Sequence, residues 1–176
     1  MNRLAWSALV VMVFATNGWG SPMTRKEVMI ASWERAKAYT KEYLDAAPED
    51  LYGFKPTPEM RSFAEQMQHL AVDNYKIVNA AVGSIVAIPP FRDLEKETLQ
   101  SKAAVTQAVM ESYDYVIALL KTTDETKFIL VVKVFKWETT VEDGLHKAFE
   151  HQTHHRGQTT VYLRLKGIKP PPEKLF

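Results

Sequence analysis

The sequence predicts an all-α domain: a four-helix bundle with a long crossover before the last helix. Three observations carry that expectation. Apolar residues recur at helical spacing in four long stretches, and the joints between these are polar or proline-bearing. The 176-residue chain, 46% hydrophobic and 24% charged, is long enough to bury one sizeable core. It has no internal repeat and no low-complexity tract.

A separate feature precedes the first helix. Residues 1–3 form a short n-region made basic by Arg3, residues 4–15 are apolar over the length of a signal-peptide core, and Gly18 and Gly20 suit a cut before Ser21. Residues 1–20 therefore read as a secretory signal peptide and residues 21–176 as the mature domain, periplasmic or secreted. The apolar run is shorter than the about 20 residues of a membrane span, and no cysteine follows it to carry a lipid. No stable membrane anchor is expected.

The first helix is expected over residues 24–46. Thr24 and Glu27 form a capping box, and Ile30, Trp33, Ala36, Lys37, Tyr39, Tyr43 and Leu44 keep helical spacing. Ala47, Pro48, Glu49 and Asp50 end it, and an aromatic connector follows over 51–56. The second helix reads from an N-cap at Thr57, with Pro58 and Glu59 in its first turn, through His69 to about residue 87 before Pro89 and Pro90. The third opens at Asp93 and runs to about Lys121, with Val105, Val109, Tyr113, Val116, Ile117 and Leu120 as its stripe. Residues 127–137, rich in β-branched and aromatic side chains, have no evident partner strand and read as an extended crossover packed on the bundle. The last helix opens at Thr140, with Asp143 as its capping partner, and ends near Gly167, ahead of Pro170, Pro171 and Pro172.

The formal net charge is +1, with no block of one sign, so no nucleic-acid partner is expected. The absence of cysteine excludes a disulfide scaffold, a thiolate metal site and a cysteine nucleophile.

Four of the five histidines, His146, His151, His154 and His155, lie on the last helix, and His69 lies on the second. His151 and His155 are one turn apart on the same face, the spacing at which two imidazoles grip one ion. His154 sits at the edge of that face and His146 roughly opposite. Ala148, Gln158, Tyr162 and Leu165 share the His151 face, which therefore reads as the inward one. Arg156 points off it, toward a salt bridge or surface packing. Glu65 and Asp73 flank His69 by one turn on either side and are the candidate catalytic carboxylates, able to orient an imidazole, add an oxygen ligand or move a proton. Gln152 stands where the H-E-x-x-H motif needs glutamate, which argues against an ordinary zinc protease. Three neutral imidazoles with one open position describe a catalytic metal site more often than a structural one.

The run H-Q-T-H-H-R-G-Q at 151–158, followed by Tyr162, Leu163, Arg164, Gly167, Pro170 and Pro171, resembles the C-terminal motif of the DinB superfamily (DinB/YfiT-like). Ser62, Glu65, His69 and Leu70 are similar to its second-helix motif, S-x-x-E-x-x-x-H-L. The resemblance implies a four-helix bundle holding one divalent metal ion on His69, His151 and His155, with His154 not a ligand. It implies that Gly157 permits close helix packing, that Gln158 lines the site, and that the chain forms a homodimer.

Three functions follow as expectations. The first is a divalent-metal-dependent enzyme, of hydrolase or thiol-transferase type, acting on a small molecule. The second is a non-catalytic metal-binding or stress-associated bundle. The third is a helical interaction module. All-nitrogen ligation suits Zn, Ni, Fe or Co. Trp33, Tyr52, Phe54, Phe91 and Trp137 are candidate pocket walls, although core packing is the commoner role for such residues.

Overall fold

The computed structural model describes residues 22–83 and 101–176. The expected leader, the segment 84–100 and Phe91 lie outside the described residues. Helix α1 (Arg25–Ala46) opens as expected: the Thr24 hydroxyl accepts from Glu27 N, and the Glu27 carboxylate accepts from Thr24 N at 2.8 Å. A 3-10 turn over Glu49–Leu51 follows.

Helix α2 (Phe63–Val82) starts later than Thr57–Pro58 predicts. Residues 57–60 form a turn closed by Met60 N–H on the Thr57 carbonyl. Ser62 is the N-cap, and with Glu65 it makes both capping-box bonds, at 3.1 and 2.6 Å. The connector completes this start: Phe63 N donates to the Phe54 carbonyl and Ala64 N to that of Tyr52. Reciprocal capping plus these two bonds satisfies helix-end donors that a start at Pro58 leaves open. The helix ends at Gly83, whose φ of 67° is the left-handed cap conformation, rather than near residue 87.

Helix α3 (Lys102–Thr122) is capped by Ser101, which is itself extended and accepts from Ala104 N; the expected opening at Asp93 lies outside the described residues. Its expected stripe is buried throughout. The stretch read as a crossover is a 3-10 turn (Glu125–Ile129) and strand β1 (Val131–Val134). Strand β1 has a partner after all, β2 (Trp137–Thr140), antiparallel with Val131 opposite Thr140 and Val134 opposite Trp137. Thr140 ends that hairpin and also caps α4 (Val141–Leu165), accepting from Asp143 N.

Helix α1 packs on α3 and α4, and α2 packs on the same two, which leaves α1 and α2 on one diagonal and α3 and α4 on the other. Trp33, fully buried, sits edge-on to Tyr113 and Phe149 at the centre. Tyr52 is likewise core, Phe54 packs beside Tyr162, and Trp137 is exposed on the hairpin. The close-packing glycine is Gly144, where a Cβ would lie 2.8 Å from that of Ala81. Gly157, to which that role was carried over, faces open space.

Candidate metal centre

The buried side of α4 centres on Ala148, Gln152, His155 and Thr159, roughly 70° round the helix from His151. His151 therefore lies at the edge of the inward face, half-buried, and His155 lies within it. Leu165 and His154 are exposed, not inward. Arg156 is buried, not superficial. Its guanidinium donates to Gln152 Oε1 at 3.0 Å, lies 4.6 Å from the Tyr39 ring, and has no carboxylate partner among the described residues.

Because α2 packs against α4, His69 meets His151 and His155. One ring nitrogen of each lies within 4.8 Å of the other two. The ring centroids are 4.4 to 5.1 Å apart. His155 Nδ1 is 2.7 Å from Gln66 Oε1, while Gln66 Nε2 donates to the Tyr162 hydroxyl, which donates in turn to the Arg61 carbonyl. Since the Tyr162 hydroxyl gives away its proton, Gln66 must face it with NH₂ and face His155 with its oxygen. His155 then carries its proton on Nδ1 and turns the Nε2 lone pair toward the other two rings.

His151 Nε2 stands 3.2 Å from His155 Nε2 and 3.2 Å from Asp73 Oδ2, and His69 Nε2 stands 3.5 Å from the same carboxylate oxygen. A single proton on His151 Nε2 has two acceptors competing for it, and His151 Nδ1 is buried without a hydrogen bond. Such a cluster of converging lone pairs is short of positive charge at its middle, and its donor set suits a divalent cation. Burial, followed by the neighbouring histidines and Arg61, pushes the His155 pKa down to about 3. Burial also lowers that of His151, with His69, His154 and Arg61 adding to it and Asp73 opposing. Both rings are thus neutral at physiological pH, as ligands must be.

Of the two candidate carboxylates, Asp73 is brought to the histidines and Glu65 is not. Glu65 is held by Ser62 N and by Lys55 Nζ at 3.0 Å, contacts that keep its carboxyl below the usual range although burial alone would raise it. Gln158 binds His154 at 2.8 Å instead of lining the site. His146, on another side of α4, lines an apolar cleft with Met23, Met29 and Phe149. Gln66 and Tyr162 are the residues that spacing alone did not single out for this role. Their signal was present as polar side chains at the inward positions 66 and 162, one turn before or two turns after a histidine.

Residues 32–159 match the sequence model of the DinB superfamily. The chain belongs to the DinB superfamily. Among its relatives, the uncharacterized protein YjoA of Bacillus subtilis is 21% identical over 145 residues, covering 82% of this chain and 93% of YjoA. The crystal structure of a DinB-like protein from Bacillus cereus matches with a TM-score of 0.69 at 17% identity, over 83% of this chain and 95% of that one. YfiT from Bacillus subtilis, described as a probable metal-dependent hydrolase with an unusual four-helix bundle topology, matches with a TM-score of 0.63 at 16% identity, over 85% of this chain and 93% of YfiT. These likenesses establish the DinB fold for this chain.

Proposed function

We propose that this chain is a divalent-metal-dependent enzyme of hydrolase or thiol-transferase type, with His69, His151 and His155 holding the ion. The observation that carries the reading is the convergence of three imidazoles in which Gln66 fixes the tautomer of His155. The description of YfiT as a probable metal-dependent hydrolase favours the hydrolytic arm. When bound, a divalent ion supplies Lewis acidity, making water or a thiol nucleophilic near neutral pH. Asp73 Oδ2, within 3.5 Å of two of the imidazoles, is placed to take up a proton from a nucleophile beside them. Gln66 and Tyr162 hold His155 in orientation from behind.

A non-catalytic metal-holding bundle is the second reading, and Asp73 is also what favours it. As a fourth donor its carboxylate would close the site, as in structural centres. Elemental analysis of purified protein beside a His151→Ala/His155→Ala variant tests both readings. About one divalent ion per chain, absent from a folded double variant, is the expected result; an ion-free wild type after exposure to Zn, Ni, Fe and Co salts would sink both. Azide added to the cobalt-loaded protein separates them, since a changed visible spectrum marks an open position and an unchanged one a closed centre.

A further inference from the structure

A cleft of about 400 Å³ opens at the amino-terminal end of α2, walled by Lys55, Met60, Arg61, Glu65 and Gln68, with Pro58 and Glu59 on its rim. Glu65, His69 and Asp73 recur at four-residue intervals on α2, so the cleft, which Glu65 lines, and the histidines occupy successive turns along one side of the helix. At 1.5 Å per residue, His69 stands about 6 Å along the axis from Glu65, and Arg61, two residues ahead of the first helical residue, lines the same cleft as Glu65.

The charges in the cleft are not equivalent. Lys55 is paired with Glu65, and Glu65 also caps the helix. Glu59 is bound into its own turn through Thr57. Arg61 is exposed and has no ion-pair partner among the described residues, while its backbone carbonyl is pinned by the Tyr162 hydroxyl at 2.6 Å. The backbone N–H groups at this helix end are already engaged, those of Phe63 and Ala64 by carbonyls and that of Glu65 by Ser62. Any anion recognition here therefore falls to the guanidinium.

We propose that Arg61 is the anion-binding residue of this site, and that the substrate is a small molecule with a carboxylate at one end, paired with Arg61, and its reacting group at the histidines. The proposal rests on the metal-enzyme reading above. A guanidinium matches a carboxylate with two parallel N–H···O bonds, which a lysine cannot reproduce. A divalent ion nearby would add to the positive field that draws such a substrate in.

The test uses the full chain loaded with Co(II), whose visible spectrum reports binding directly. Two probes are titrated: acetohydroxamate, and succinate monohydroxamate, which adds a carboxylate arm to the same metal-binding group. In the wild type the carboxylate-bearing probe binds about tenfold tighter. Arg61→Ala abolishes that advantage and leaves acetohydroxamate affinity unchanged, while Arg61→Lys keeps part of it. Normal cobalt uptake and acetohydroxamate binding, with the same probe ratio in the wild type and Arg61→Ala, would overturn the anion subsite alone. Failure to take up cobalt at the histidines would overturn the underlying reading, and this proposal with it.

Discussion

Replacing Gln66 by leucine tests whether the histidines are organised to receive an ion or merely share a core. Gln66 is 4% exposed, and its amide joins His155 Nδ1 at 2.7 Å to the Tyr162 hydroxyl at 3.2 Å. Leucine fills similar space but accepts nothing. His155 Nδ1–H then has no acceptor in a dry environment, a loss of about 1–3 kcal/mol in fold stability. The imidazole also becomes free to rotate or change tautomer. Removing such an outer partner of a metal-binding histidine lowers affinity by about 10–100-fold, or about 1.4–2.7 kcal/mol. The assay is competition against a chromophoric chelator with Zn and with Co, beside circular dichroism to establish folding. Gln66→Glu keeps an oxygen facing His155 but offers the Tyr162 hydroxyl no N–H, so it should retain more affinity than Gln66→Leu. A folded Gln66→Leu variant with wild-type affinity would refute the reasoning, because His155 would then need no fixed tautomer.

Three further outcomes follow from other parts of the molecule. Gly144→Val should lower stability by about 1–3 kcal/mol, since even a Cβ there meets Ala81 at 2.8 Å and Val134 at 3.1 Å; Gly157→Ala, facing open space on a helix, should raise it by about 1 kcal/mol, and thermal melts would give the two opposite signs. Asp73→Asn should weaken metal binding with little change in fold, whereas Glu65→Ala should leave metal binding intact and cost about 1 kcal/mol through the lost cap, the two readouts separating carboxylates that flank His69 symmetrically in sequence. Burial pushes Tyr52 and Tyr113 up to about 12, so the fold favours their neutral forms; the associated stability, about 3 kcal/mol each, is fully present below pH 10 and lost as pH rises from 10 to 12. Phenolate absorbance at 295 nm should appear together with loss of helical signal, and separate, non-cooperative titration of these tyrosines would contradict their placement.

The parts of this fold that the sequence made legible are those governed by local rules. The capping box at Thr24 and Glu27, the stripe of α3 and the cap at Thr140 and Asp143 each depend on residues within a turn or two of one another. The start of α2 was less legible because two local signals competed there. Thr57 and Pro58 make a fair helix start, but Ser62 and Glu65 make two reciprocal bonds, and only the folded connector reveals the carbonyls that complete the choice. The hairpin was hidden for a related reason: its turn is Phe135-Lys136, with Phe135 at φ 55°, and lacks the glycine or asparagine that usually marks such a turn. On α4, a wheel centred on the histidines misplaced the inward face. That face includes Gln152, Arg156 and Thr159, buried polar groups satisfied by one another and by Tyr113, which hydrophobicity alone does not find. The histidine trio itself was legible, by helical spacing for His151 and His155 and by family likeness for His69.

The packing of α2 directly on α4 joins parts of the chain about eighty residues apart in sequence. Any ion shared by His69 and His151 would therefore act as a cross-link. It would remove from the unfolded ensemble roughly the freedom that a covalent bridge closing a loop of that size removes, about 4–5 kcal/mol in the chain-entropy account. In a chain with no cysteine, this would be a reversible counterpart of a disulfide, made or broken by the metal concentration around it. Melting temperature would then track free metal, and a chelator would do to this protein what a reductant does to a disulfide-bonded one.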